Sequence, residues 1–211
     1  MYDSLKITPK TRGYQVVFNH TNFHLYHYAG NNPIKYTDPD GRKIIIGITT
    51  SDTLWGTIVG EHAFIMCIDE KDPKKSIMLD ASGQYGEGRS SDVIDGYQAD
   101  ITIQDYLEYW DTEEKLTTFE LILTPEDEKK LKDAISKMEG YSWLECAKKA
   151  SEILNEYLSK EIKKTKLPSK LLKTLMEYAK KHNGKVIIKN YDFKTNTEIK
   201  NDDSKSENKD D

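Results

Sequence analysis

Cys67 and Cys146 are the only two cysteines of the chain, and a thiolate is among the few side chains able to attack a carbonyl carbon. Cys146 is the better placed. It stands in Leu144-Glu145-Cys146-Ala147, within the first turn of a helix predicted to start at Ser142, with Glu145 completing a capping box, and to run to about Ser159. A helix N-terminus carries partial positive charge and unpaired N–H groups, which lower a thiol pKa. A thiol nucleophile also needs a general base, most often histidine, and a third group to orient that base. Beyond residue 42 the histidines are His62 and His182. His62 opens a predicted strand over 62–68, and Asp80 lies near the end of the next, over 76–81. Two neighbouring strands can hold His62 and Asp80 side by side, and a helix end crossing the sheet edge can bring Cys146 to the other ring nitrogen.

Strand alternation separates the two cysteines. His62, Phe64 and Met66 share one face, and Ala63, Ile65 and Cys67 the other. Cys67 therefore points away from His62, as a core residue would. Each candidate also has a plain structural reading. Cys146, Ala150, Ile153 and Tyr157 recur at helical spacing, so Cys146 can equally be core. A histidine at a strand start is often only hydrogen-bonded, and Asp80 ahead of Ser82-Gly83 can be a turn residue. His182 follows two lysines near a helix end, where a cation complements the helix dipole.

The elements that must position these residues follow from local pattern. Lys43–Thr49 is a β-branched run and reads as a strand, and Thr117–Leu123 as another. Residues 82–97 are rich in Gly, Ser and Asp and read as a long irregular loop, with Gly83–Gly88 and Trp55-Gly56 as cleft walls. Ile103–Trp110 reads as a short helix. Thr124 caps a helix with Pro125 at its first position and Asp127 three residues after the cap, running to about Met138 and stopping at Gly140. Pro168 opens a further helix that ends at Asn183-Gly184, and Lys185–Ile188 is the last strand expected. Residues 200–211 hold no apolar side chain and are expected to be disordered.

Composition bounds the function. The 211 residues, 36% hydrophobic, suffice for one ordinary core with a small module beside it. A net charge of −5 gives no reason to expect nucleic acid as the main ligand. The lysines of 160–173 read as solvated helix faces. Two cysteines cannot make a disulfide framework or a cysteine-rich zinc site, and the five histidines form no metal cluster, so no cofactor or metal is expected. The longest apolar run, Ile44–Ile48, is a single strand, so no transmembrane segment is expected.

Near the N-terminus, Leu25-Tyr26-His27-Tyr28-Ala29-Gly30-Asn31-Asn32-Pro33-Ile34-Lys35-Tyr36-Thr37-Asp38-Pro39-Asp40-Gly41 resembles the closing motif of the RHS (YD-repeat) repeat-associated core. That pattern is an aromatic strand, Asn-Asn-Pro, an aromatic, then Asp-Pro-x-Gly. The resemblance implies a large shell enclosing a variable C-terminal domain, commonly a toxin, with a neighbouring immunity protein. It implies self-cleavage after the motif by aspartates, which here would be Asp38 and Asp40. Arg42 stands where the family usually has an apolar residue.

A second resemblance covers roughly 44–190. Gly-Glu-His62-Ala-Phe-Ile, then Leu-Asp80-Ala-Ser-Gly-Gln-Tyr-Gly, then Leu-Glu-Cys146-Ala is similar to the circularly permuted papain-like (NlpC-type) hydrolases. There the histidine strand precedes the cysteine helix and a polar third residue comes from the following strand. Such helices often read Asn-Cys followed by Ser or Thr, whereas Glu145 and Ala147 flank the cysteine here.

The expected architecture is thus α+β: an antiparallel sheet with packed helices on one side, permuted papain-like, preceded by a short β remnant of the RHS shell. The expected boundaries are 1–42 for the end of the RHS core, 43–199 for the papain-fold toxin domain and 200–211 for the tail. The expected function is an RHS-type toxin domain acting as a cysteine hydrolase or acyl-transfer enzyme, with Cys146, His62 and Asp80 as a triad. Expected partners are the RHS shell of the parent chain and a cognate immunity protein. Substrates of interest are peptidoglycan, protein or lipid, reached by secretion or delivery to a target cell. Two other classes compete: a non-catalytic effector or binding domain, and a nuclease or nucleotide-modifying toxin.

Overall fold

A computed structural model describes residues 42–50, 61–86, 89, 91–110, 114–138, 140 and 144–199. The RHS-like string with Asp38 and Asp40, Trp55-Gly56, Gly88, Ser142 and the 200–211 tail lie outside the described residues.

The longest uninterrupted apolar run becomes the middle of a sheet. β1 (Arg42–Thr50) is buried along Ile44–Thr49 and pairs on both sides, with β2 (Ala63–Asp69) and β5 (Lys115–Leu121). A strand covered on both faces needs apolar residues at successive positions, which is why this stretch shows no alternation. Gly47 faces Phe64 across the β1–β2 ladder, and a Cβ there would lie 2.0 Å from the Phe64 ring. The glycine leaves the room that the ring fills.

β3 (Ile77–Leu79) and β4 (Val93–Asp95) extend the sheet beyond β2, and β6 (Val186–Asp192) and β7 (Thr197–Glu198) extend it beyond β5. The order is β4-β3-β2-β1-β5-β6-β7, with every neighbouring pair antiparallel. β4 lies inside the stretch expected to be an irregular loop. Its three residues pair with β3 and place Ile94 in the core, too short a segment to show a period among Gly, Ser and Asp. β7 was also unexpected. It forms a hairpin with the end of β6.

Among the described residues there are four α-helices: α1 (Ile103–Tyr109), α2 (Pro125–Ser136), α3 (Cys146–Tyr157) and α4 (Pro168–Lys181). They cover both faces of the sheet, not one. Ile44, Ile46, Ile65, Cys67 and Phe119 pack under Leu131 and Ile135 of α2, Ala150 and Leu154 of α3, and Leu171 and Leu175 of α4. The opposite face carries Ile45, Phe64, Met66 and Leu116 against Tyr106 and Leu107 of α1, with Tyr85 and Phe193. None of the helices is long and apolar enough to cross a membrane.

The start of α2 is as expected: Thr124 Oγ1 accepts from the Asp127 N–H at 3.2 Å, and Pro125 is the first helical residue. The start of α3 is not. Glu145 is itself the cap residue, with no side-chain capping bond, and the helix begins at Cys146. The Glu145 carboxylate pairs instead with Lys148 at 2.7 Å.

Candidate active site

Register brings two of the three expected residues together. Ile65 pairs with Leu79 and Met66 with Met78, so continuing the ladder sets Asp80 beside Phe64 and one same-face step from His62. His62 Nε2 lies 2.5 Å from Asp80 Oδ1. The backbone of His62 is held separately, its N–H donating to Thr49 Oγ1 at 2.8 Å and its carbonyl accepting from the Thr49 N–H at 2.9 Å.

The third residue arrives from the other face. α3 packs against β2 with Cys146 as its first residue, and Cys146 and His62 line one cleft, near enough for each to shift the other's pKa. The helix head is fixed by the turn that follows Asp80. Ser82 Oγ accepts from the Glu145 N–H at 3.1 Å, so a residue 63 positions earlier in the chain provides the cap that Ser142 was expected to provide. Asp92 adds a buried tie, its carboxylate 2.6 Å from Lys149 Nζ on the next face of α3.

Asp80 is completely buried and is held on its far side by Arg89. Arg89 Nη1 donates to Asp80 Oδ2 at 2.5 Å, and Nη2 donates to the Asp80 main-chain carbonyl at 2.6 Å. The same guanidinium donates to the carbonyls of Tyr85 and Ser91. Gly83 permits this packing, since a Cβ at that position would lie 2.0–2.2 Å from the Asp80 carboxylate atoms.

The electrostatics follow from these contacts. Burial by itself would lower the His62 pKa, but its hydrogen bonds to Asp80 and Cys146 and their charges outweigh it and raise the imidazolium to about 10. Burial would raise the Cys146 thiol, yet the His62 hydrogen bond and charge, with the Ala63 and Ala147 N–H groups, hold it below its ordinary value. Burial would raise Asp80 too, and His62 with Arg89 hold it down. The arrangement favours a thiolate beside an imidazolium beside a carboxylate. Cys67 behaves oppositely: buried in the apolar core, with Lys132 and Glu128 as minor influences, its thiol is pushed up to about 12.

Cys146 and His62 open onto a cleft of about 440 Å³. Ser82, Gly83 and Gln84 line it, as the glycine-rich stretch suggested, with Thr49, Glu61, Glu114, Tyr106, Trp110, Leu144 and Phe193. His182 does not line it. That residue ends α4, stacked on Tyr178 with ring centroids 4.2 Å apart. The lysines at 160, 163, 164, 166, 170 and 173 are exposed. Cys146, Ala150 and Ile153 are buried as their spacing suggested, but Tyr157 is 42% exposed.

Sequence reasoning missed Arg89, Thr49 and Glu114. Arg89 sits in a run of Gly, Ser and Asp where an arginine looks solvated, and only its neighbour-by-neighbour hydrogen bonds reveal a buried one. Among the described residues, no three of His, Cys, Asp and Glu gather as ligands for a metal ion. Compared with models of known families, with characterised proteins and with solved structures, the chain matches none.

Proposed function

We propose that this domain is a cysteine hydrolase or acyl-transfer enzyme of the amidase, peptidase or deamidase kind, with Cys146 as nucleophile, His62 as general base and acid, and Asp80 orienting His62. The observation that carries this reading is the His62–Asp80 contact at 2.5 Å, with Cys146 lining the same cleft as His62 and its thiol held below its ordinary pKa against burial, chiefly by His62. In the first half-reaction the Cys146 thiolate adds to an amide or ester carbonyl carbon. The oxyanion takes a hydrogen bond from the Cys146 N–H at the head of α3. His62 gives its proton to the leaving amine or alcohol as the carbon–nitrogen or carbon–oxygen bond breaks, leaving an S-acyl enzyme. In the second, water or another nucleophile gives a proton to His62 and attacks the thioester, and the thiolate leaves.

The RHS-like string supplies the setting of the same proposal. The domain is the cargo of an exported or cell-surface RHS shell, the resemblance bringing with it a toxin role and a cognate immunity protein. The order histidine strand, polar residue, cysteine helix supports a permuted papain-like relationship. That relationship favours peptidoglycan peptide bonds over protein glutamine amides and lipid esters as substrate.

The test is expression of the chain and its Cys146→Ala variant in the cytoplasm and in the periplasm. Wild type is expected to be toxic in one compartment, the periplasm for a cell-wall substrate, and Cys146→Ala and His62→Ala harmless in both. Toxicity retained by Cys146→Ala would sink the reading. One observation favours a second one, a non-catalytic effector: Cys146 is only 8% exposed and belongs to the same core cluster as Ala150 and Ile153.

A further inference from the structure

Two residues beside the nucleophile hold a backbone conformation that their side chains make costly. Among the described residues, the non-glycine positions with positive φ are Ser82 (64°), Leu144 (55°) and Asn196 (52°). Asparagine enters the left-handed region readily, whereas serine and leucine do so rarely. Ser82 and Leu144 both line the cleft at Cys146. They also meet, since the Glu145 N–H, on the peptide that follows Leu144, is the donor to Ser82 Oγ at 3.1 Å. Leu144 is 70% exposed, so burial of its side chain does not account for its conformation. Such strain persists only where the surroundings fix it, and it gathers at functional sites. Here the fixing group is Asp92, which is completely buried. Its Oδ1 accepts from the Ser82 N–H at 3.4 Å, its Oδ2 from Lys149 Nζ at 2.6 Å, and its carbonyl from the Asp80 N–H at 2.8 Å. The turn after Asp80 is thereby fastened to the head of α3 at two points, by Ser82 to Glu145 and by Asp92 to Lys149.

We infer that Ser82 is a positioning residue of the proposed reaction, its hydroxyl clasping the left-handed turn before α3 so that Cys146 is presented to His62 and to the scissile carbonyl. This role rests on the hydrolase reading, in which the thiol is the nucleophile. Ser82 acts through the backbone. The N–H it binds precedes the Cys146 N–H that serves the oxyanion, so the clasp fixes the direction of that donor as well. It also keeps the thiol beside His62 and the Ala63 and Ala147 N–H groups, which hold its pKa down.

Alkylation of Cys146 by iodoacetamide across pH, followed by peptide mass beside the urea midpoint of each full-chain variant, tests this. Glycine takes a positive φ without strain, so Ser82→Gly removes the clasp and the cost of the turn together, and should lose little in midpoint. Its Cys146 should nevertheless displace iodide about two- to tenfold more slowly near neutral pH, the contribution of one neutral hydrogen bond, with the pH midpoint of the reaction moved up. Ser82→Thr restores the hydroxyl on a β-branched side chain at positive φ, and should recover most of that rate at a lower urea midpoint. A serine that served stability alone would give the reverse order. Rates that follow the urea midpoints, or a Ser82→Gly variant with the wild-type rate and pH profile, overturn the inference. If Ser82→Gly does not fold, Ser82→Ala is compared with Gly47→Ala, which crowds Phe64 and leaves the clasp intact. Slowing confined to Ser82→Ala supports the inference, and equal rates overturn it. An inert wild-type Cys146 is a separate result: it removes the hydrolase reading, and the role of Ser82 with it.

Discussion

A thiol held below its ordinary pKa and a second thiol pushed up to about 12 in one small domain make a direct internal comparison. At pH 7 iodoacetamide should alkylate Cys146 well before Cys67, as followed by peptide mass. His62→Ala removes the main groups favouring the thiolate, the ring's hydrogen bond and charge. Each unit of pKa regained costs about tenfold in thiolate, so a slowing on the order of tenfold or more is expected. The pH profile has a defined sign. Reactivity should persist below the range of a free cysteine and fall only as pH drops through the depressed Cys146 pKa. An inert Cys146 in folded protein would contradict the whole site. Asp80 and Arg89 make a second case at this scale. Both side chains are at least nine-tenths buried, 0% and 8% exposed, so Asp80→Asn leaves a buried guanidinium short of its counter-ion. Breaking a buried pair from one side costs about 3–5 kcal/mol, and urea unfolding should show a loss of that order together with slower alkylation of Cys146. A fully stable Asp80→Asn variant would show that Arg89 is satisfied by carbonyls without it.

At the scale of elements, the site depends on two glycines, one after the turn that follows Asp80 and one within β1, that let backbone and side chains approach closely. Gly83→Ala would push a methyl into the Asp80 carboxylate, whereas Gly47→Ala would push one into the Phe64 ring on a buried ladder. Both should destabilise by roughly 1–3 kcal/mol through overpacking. Only Gly83→Ala should also change the alkylation rate of Cys146 in molecules that remain folded, because only it displaces the group that orients His62. Equal effects of the two on the rate would mean that Asp80 does not set the reactivity. This contrast also shows which parts of the fold were legible in the sequence. Thr124-Pro125 announced α2 because its cap and its first residue are local, and β1 was legible because its apolar run is continuous. The cap of α3 was misread because the real partner is Ser82, far away in the chain, and a local pattern cannot show a bond across the fold. That His62 and Asp80 come together was legible because both lie at the ends of neighbouring strands, and Cys146 stands out as a cysteine in the first turn of its helix even with that helix's start misplaced. Arg89 and Glu114 were not, because their importance comes from desolvation and from what packs beside them.

At the scale of the molecule, the sheet separates two apolar layers, and the site lies where an element from one layer meets strands whose side chains face the other. α3 belongs to the layer of α2 and α4, while Phe64, beside His62, packs with Tyr106 of α1. The ion pair across that seam should therefore be visible in global stability, and proton counting gives its sign. His62 is raised from 6.5 to about 10, so taken singly its contribution is complete below 6.5 and lost as pH rises through 10. Cys146 is lowered from 9.0, so its contribution is complete above 9.0 and lost as pH falls through the depressed value. Above both 6.5 and the depressed Cys146 pKa, and below 9.0, the native pair holds one proton, on His62, and the unfolded chain also holds one, on the thiol. Equal proton counts give no slope from the pair in that window. Above it the native state binds more and stability should fall with base. Cys146→Ser deletes the thiol proton from the unfolded chain while Asp80 still holds the His62 proton in the native one. Its stability should therefore decline as pH rises from 6.5, across the window where wild type is flat. Urea midpoints at half-unit pH steps would show the divergence. Two parallel curves would mean that thiol and imidazole titrate independently, and that no ion pair spans the seam.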